Sequence, residues 1–235
     1  IGMILEVDLG NSRMKWRVVD KGNVVTLGCC EYENLSSWCV YEPVTYIRAG
    51  CVASDDKRSR FVARCRDLFK VEPEFARVSA RLGGVTCAYK DYESLGVDRW
   101  LALLAAYNRC AGAAIVVDCG TAITVDYMTA NGLHCGGYIL PGFDSMLGSL
   151  GADTSSVKVS MHDPALSLEW GRTTGECVSH GVLMSIVSLL ESAQKKESAA
   201  SLILTGGAGV RLLPYLSGVE WVESLVLDGL VVALP

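Results

Sequence analysis

Two stretches of this chain share one build, and together they restrict its fold more than any other feature. Ile4 to Ser12 reads I-L-E-V-D-L-G-N-S, an apolar strand delivering Asp8, Gly10, Asn11 and Ser12 to a tight turn. Ala114 to Tyr127 reads A-I-V-V-D-C-G-T-A-I-T-V-D-Y, in which a buried strand leads to the turn Asp118-Cys119-Gly120-Thr121 and alternation resumes at Ile123. Each stretch holds a carboxylate beside a glycine at the tip of a hairpin. The two aspartates lie 110 residues apart, about one domain length. Met14 to Asp20, a Lys21-Gly22-Asn23 turn and Val24 to Gly28 follow the first; Ala122 to Met128, an Asn131-Gly132 turn and Leu133 to Leu140 follow the second. A D-x-G match arises often by chance, whereas a repeated order of strand, acidic turn, strand, hairpin turn and strand does not.

That order is similar to the actin-like fold of ATPases and sugar kinases, in which two acidic turns face each other across a cleft and hold nucleotide phosphates and a cation. The expectation is an α/β protein with an actin-like (ribonuclease H-like) duplicated fold. It has two half-domains, 3–110 and 111–235, each a mixed β-sheet flanked by helices. Fold alone does not settle a reaction.

Composition narrows the partners. The 235 residues suffice for one large domain or two of about a hundred residues, and 50% are hydrophobic, enough for a filled core. Net charge is −5 and no basic run occurs, which argues against nucleic acid or an anionic membrane as partner. His134, His162 and His180 are scattered, so a zinc site built on them is not expected. None of the ten cysteines forms C-x-x-C, and Cys65, Cys110 and Cys119 lie in apolar segments; they read as reduced small hydrophobes of a cytoplasmic protein. There is no basic-then-apolar leader and no apolar run near about eighteen residues, so neither secretion nor membrane spanning is indicated. Ile1-Gly2 ahead of Met3 reads as an expression remnant.

Along the rest of the chain, Val44 to Val52 reads as a strand and Asp55 to Lys70 as a helix with Ser54 available as N-cap. Glu31 to Val40 is ambiguous, Val71 to Arg77 can return as a strand, and Ser79 to Ser94 has no period and reads as a loop. Leu95 to about Cys110 is helical, placing Asp98 and Arg99 in its first turn. Phe143 to Leu150 reads as a short helix, Gly151 to Trp170 as a polar connection, and Thr173-Thr174-Gly175-Glu176 as a capping box for a helix to Lys196. Ser201 to Leu204 is expected as the last strand, its Thr205-Gly206-Gly207 turn opening a helix, and Leu225 to Leu234 as a terminal apolar helix.

Asp8-Leu9-Gly10-Asn11-Ser12-Arg13-Met14-Lys15 has the ingredients of a phosphate loop: a glycine for close backbone approach, hydroxyl and amide donors, and a lysine. A hairpin turn with a surface lysine has the same composition. Asp118, Gly120, Thr121 and Thr124 would form an opposite wall. The turn Thr205 to Gly209 is either a nucleotide contact or simply a turn. Phosphoryl transfer needs aligned, neutralised phosphates and an oriented attacking oxygen. Asp98 is the candidate base, and an ordinary first-turn acid favoured by the helix dipole is the alternative. Tyr89 and Tyr92 either line a pocket or pack.

Taken in order, D-L-G-N-S-R-M-K, L-G-V-D-R-W, D-C-G-T-A-I-T-V-D, G-G-Y-I-L-P-G, T-T-G-E-C-V-S-H-G, L-T-G-G and L-V-L-D-G-L resemble the type III pantothenate kinases from Leu5 to Leu230. The most specific pieces are G-x-D-R and, downstream, D-x-G-T-A-x-T-x-D. The resemblance implies ATP-dependent phosphorylation of pantothenate, the first step towards coenzyme A, by a homodimer that uses magnesium and a monovalent cation, potassium or ammonium. It implies that Asp8 to Lys15 and Thr121 bind ATP and that Asp118 holds the monovalent cation. It also implies that Gly96, Val97, Asp98, Arg99, Tyr89 and Thr174 bind pantothenate, with Asp98 as proton acceptor and Arg99 on the pantothenate carboxylate. A guanidinium suits that group because it can donate two parallel hydrogen bonds.

Ser12 stands where many members have threonine, which keeps the hydroxyl, and Val97 and Cys177 stand where alanine is commoner. None of the three removes a charged group. Two other readings share the motifs: a non-catalytic nucleotide-sensing regulator of the same family, and a kinase for another small hydroxyl substrate. Retention of Asp98 with Arg99 separates an enzyme from a pure binder.

Overall fold

The structure is a computed structural model that describes residues 2–110, 112–153 and 166–235. Alternating residues at the start form an antiparallel meander of β1 (Met3–Leu9), β2 (Arg13–Asp20) and β3 (Asn23–Glu31). Lys21 and Gly22, at φ 50° and 84°, make the left-handed turn that a two-residue hairpin requires. β4 (Val44–Cys51) joins β1 in parallel; α1 (Asp55–Phe69) follows and ends at Lys70, which is left-handed at φ 58°. β5 (Glu74–Phe75) is parallel to β4 and completes a sheet of order β3-β2-β1-β4-β5. The expected loop at 79–94 carries a small hairpin, β6 (Arg81–Leu82) and β7 (Val85–Thr86), before α2 (Val97–Arg109).

The plan then repeats. β8 (Ala114–Cys119), β9 (Ala122–Met128) and β10 (His134–Pro141) form a second antiparallel meander, followed by α3 (Phe143–Asp153) and α4 (Thr174–Lys196). β11 (Ser201–Thr205) joins β8 in parallel and β12 (Val219–Trp221) joins β11, giving the order β10-β9-β8-β11-β12. α5 (Leu225–Ala233) ends the chain. Ser201 to Leu204 is therefore not the last strand. The expected helix after Thr205 is replaced by two short 3-10 turns, Gly209–Arg211 and Leu213–Tyr215. Pro214 supplies no backbone donor there, which prevents an α-helix from running through. The expected connection 151–170 begins inside α3, and its residues 154–165 lie outside the described residues.

By packing the chain divides into two units, one reaching Arg109 and including Ser224–Pro235, the other Cys110–Glu223. The sequence-based division at 110 had left the final helix with the second half. Its buried residues Leu225, Val226, Leu227, Gly229 and Leu230 instead serve the first unit, where α5 packs on α2, β1 and β4.

Pleating sorts the first sheet into two faces. Leu5, Val7, Leu9, Ile47 and Ala49 pack with Phe61 and Cys65 of α1, extended by the Trp38 ring 6.2 Å from Phe61 and 5.9 Å from Trp16. Glu6, Asp8, Arg48 and Gly50 fall on the opposite face, with Glu6 paired to Arg48 and Asp8 to Gly50. α2 and α5 lie on that face: a Cβ on Gly50 would come within 2.7 Å of Leu101 Cδ1. In the second sheet Ile115, Val117, Ile123, Val125, Leu202 and Leu204 pack under Phe143, Leu147 and the α4 residues Leu183, Ile186 and Leu190. Asp118 and Thr205, paired in register, lie on its other face.

Candidate active site

In the first unit, the Gly10 N–H donates to the Arg13 carbonyl at 3.1 Å and closes a turn through the exposed Asn11 and Ser12. Asp8 and Lys15 are direct cross-strand neighbours, so a carboxylate and an ammonium leave the sheet on one face at the mouth of this turn. Leu9 and Met14 are fully buried and can offer a ligand only their backbone. The turn is held from behind by two residues that the sequence did not single out. Tyr32 Oη donates to the Gly10 carbonyl at 2.8 Å, and Lys57 Nζ donates to the Asn11 carbonyl while standing 4.7 Å over the Tyr32 ring. Burial holds the Tyr32 hydroxyl well above its ordinary pKa, which keeps it a donor. Tyr32 falls in the ambiguous segment and Lys57 on a polar helix face, so neither carried a local signal.

The start of α2 builds a second element of this site. The Trp100 N–H donates to the Gly96 carbonyl at 3.1 Å, and the Arg99 N–H donates to Asp98 Oδ1 at 2.8 Å. A Cβ at Gly96 would sit 2.6 Å from that same oxygen, so glycine here leaves the carboxylate its place. Arg99 is only 7% exposed. Its Nη1 donates to Tyr89 Oη at 3.1 Å, and its guanidinium carbon lies 5.8 Å from the Tyr89 ring centroid. Tyr89 and Arg99, which the family resemblance assigns to one pocket, are thus in direct contact. Leu101 rests on Gly50, the register partner of Asp8, so the Asp98 turn belongs to the same sheet face as the acidic turn.

In the second unit Asp118, next to last in β8, lies opposite Thr124, and the Gly120 N–H donates to the Ala122 carbonyl at 2.9 Å. Two further glycine turns close on this hairpin, one at Asp118 and one at Thr121. Gly206, left-handed at φ 87°, has no room for a Cβ, which would stand 2.3 Å from Asp118 Oδ1 and 2.5 Å from the Cys119 carbonyl carbon. The Ala208 N–H donates to the Cys119 carbonyl at 3.0 Å. The Gly142 N–H donates to the Thr121 carbonyl at 3.0 Å, and a Cβ on Gly142 would lie 2.4 Å from that oxygen. Thr205-Gly206-Gly207, undecided from sequence, is thus brought onto the Asp118 turn. Burial, reinforced by the Asp118 charge, pushes the Cys119 thiol up to about 12. Thr174 is exposed at the head of α4, behind a capping box in which Thr173 Oγ1 accepts from the Glu176 N–H and Glu176 Oε2 accepts from the Thr173 N–H, each at 3.2 Å. No cluster of three or more His, Cys, Asp or Glu side chains able to hold a metal occurs among the described residues.

A model of the type III pantothenate kinase family matches residues 4–196. The chain belongs to this family. A type III pantothenate kinase of Hahella chejuensis is 37% identical over 233 residues, covering 96% of this chain and 94% of the relative. One from Pseudomonas aeruginosa is 35% identical over 247 residues, covering 99% of each. Two solved structures show the fold. A protein from Campylobacter jejuni described as a Baf family transcriptional activator superposes with TM-score 0.66 at 23% identity, covering 96% of this chain and 94% of the other. A protein from Sinorhizobium meliloti described as a 2-dehydro-3-deoxygalactonokinase superposes with TM-score 0.60 at 12% identity, covering 98% of this chain and 97% of the other. The duplicated two-sheet architecture is therefore that of the actin-like sugar kinases.

Proposed function

We propose that this type III pantothenate kinase transfers the γ-phosphoryl group of ATP to the primary hydroxyl of pantothenate, giving ADP and 4′-phosphopantothenate for coenzyme A synthesis. The observation that carries the site assignment is the Asp98–Arg99 turn. A carboxylate stands there on a half-buried helix start, beside a guanidinium aligned by Tyr89, on the sheet face that also carries Asp8 and Lys15. In this reading Arg99, with Tyr89, Gly96, Val97 and Thr174, takes pantothenate through its carboxylate. Asp98 accepts the hydroxyl proton as the alcohol oxygen bonds to the γ-phosphorus and the bond to the ADP oxygen breaks. The Asp8–Lys15 turn and Thr121 hold the triphosphate through backbone N–H groups, hydroxyls and the Lys15 ammonium.

Asp118, against which Gly206 packs, is our candidate for the monovalent cation, potassium or ammonium, with backbone carbonyl and substrate oxygens completing the donor set and magnesium accompanying ATP. Bound there, a cation supplies charge neutralisation. No helix among the described residues is long and apolar enough to cross a membrane. We place the enzyme in the cytoplasm as a homodimer, an assembly that sedimentation would check. The deciding measurement is ADP release over a panel of hydroxyl substrates. Pantothenate should be turned over, and Asp98→Asn should lower kcat by about a hundredfold or more with the fold intact. Near-normal turnover in that variant removes Asp98 from the mechanism. In the same assay Asp118→Ala should abolish the response to potassium or ammonium; an unchanged response places the cation elsewhere.

A further inference from the structure

The end of the chain returns to the first sheet and forms a bracket around the start of α2. Glu6, fully buried on β1, accepts from Arg17 Nε and from Arg48 Nε (2.9 Å) and Nη2. Each arginine spends another nitrogen on α5. Arg17 Nη1 donates to Asp228 Oδ1 at 2.7 Å, and Arg48 Nη1 donates to the Leu234 carbonyl at 2.6 Å, just past the last helical turn. Asp228 Oδ2 also faces Arg109 Nη1, in the last turn of α2, at 3.9 Å. Burial pulls the Arg17 pKa down, but the charges and hydrogen bonds of Glu6 and Asp228 outweigh it and the guanidinium is more firmly protonated than usual.

Next to the Asp228 anchor, Gly229 touches α2 backbone to backbone. A Cβ at Gly229 would stand 2.1 Å from the Leu101 carbonyl oxygen and 2.6 Å from its carbon. The Leu101 side chain, on its other side, meets Gly50. A single residue in the turn after Asp98 and Arg99 is thus gripped between β4 and α5. None of Glu6, Arg17, Arg48, Asp228 and Gly229 has a part in the proposed chemistry. Desolvating charges is expensive, and apolar contacts alone would hold a helix at lower cost, so a directional network marks a place where register matters.

We infer that α5 is a positioning element for the Asp98–Arg99 turn, fastened by Asp228 and seated through Gly229. The inference rests on the reading of that turn as the pantothenate site. The physical basis is geometric: an added methyl group at 229 must displace the α2 backbone, and a shift of about 1 Å in a reacting group can lower the rate about a hundredfold. The nucleotide turn at Asp8 has its own supports in Tyr32 and Lys57 and should be spared.

The test compares the full-length wild type with Gly229→Ala, Asp228→Asn and Asp228→Glu, measuring kcat and KM for pantothenate and for ATP, with thermal unfolding alongside. Gly229→Ala should lower kcat/KM for pantothenate by about a hundredfold while KM for ATP stays near wild type. Asp228→Asn should give a smaller loss of the same kind, and Asp228→Glu, which keeps the charge, should restore most of it. If Gly229→Ala does not fold, the Asp228 pair decides. Pantothenate kinetics unchanged in folded variants, or a KM for ATP raised as much as the KM for pantothenate, would overturn the inference and leave α5 a purely structural helix. A wild type that turns over ATP with another alcohol but not with pantothenate would instead overturn the substrate reading beneath it.

Discussion

A carbonyl in a phosphate-binding turn presents partial negative charge to the anion the turn must hold. In this chain two carbonyls of the Asp8 turn are already occupied. Tyr32 Oη takes that of Gly10 and Lys57 Nζ that of Asn11. Lys57 also brings a full positive charge to the turn, and its bond, made by a charged donor, is worth about 1.5–3 kcal/mol. Lys57→Met should therefore raise KM for ATP roughly tenfold, since 1.4 kcal/mol corresponds to a factor of ten, with little effect on the pantothenate constant. ATP titrations of the folded variant check this; an unchanged constant would mean that Tyr32 alone holds the turn. The acidic turns and the D-R pair are legible in sequence because each is a run of neighbouring residues. Tyr32 and Lys57 were not, because each reaches the turn from a different element and their meeting exists only after β3 and α1 have packed.

At the scale of the element, α4 shows local chemistry winning. Thr173 and Glu176 satisfy each other's backbone donors in a reciprocal pair, and the helix begins where the T-T-G-E pattern places it. Thr173→Ala should destabilise the protein by about 1 kcal/mol and lower Tm by roughly 2–4 °C, readable by calorimetry. A stability equal to wild type would show the cap to be redundant with the packing of Leu183, Ile186 and Leu190. The segment after β11 shows the opposite. Its glycines and apolar residues suggest a helix, yet Gly206 is drawn onto Asp118 and Pro214 interrupts the ladder, so the chain runs in two 3-10 turns to β12. β12 has three residues and its alternation is too short to stand out from loop sequence.

At the scale of the whole molecule, two sheets of the same strand order carry neutral thiols in their cores. Cys65 packs under the first sheet and Cys119 belongs to the second, and burial raises each from 9.0 to about 12. A raised folded-state value means that the unfolded chain releases the proton first. The stabilisation is complete below about pH 9 and is lost as pH climbs from there towards about 12. In that window each pH unit removes roughly 1.4 kcal/mol per thiol. Tm should hold between about pH 7 and 8.5 and fall steadily above it. A flat profile to about pH 11 would show that these thiols are not held as buried neutral groups.

The duplication, the two acidic turns and the family itself are written in the order of residues along the chain, because strand alternation, glycine turns and caps act over a few neighbours. The chain's last helix is different. Nothing in L-V-L-D-G-L says which half it will join, since an apolar helix can bury itself against any matching surface. Three-dimensional packing settles that it crosses back to the first sheet, where Arg17 and Arg48 hold it and Gly229 lets it touch α2. It also settles that Gly206, far from Asp118 in sequence, meets that carboxylate and that Gly142 meets the Thr121 carbonyl of the same hairpin turn. Such contacts depend on the sum of all the burial in a folded unit, which no short stretch of sequence contains.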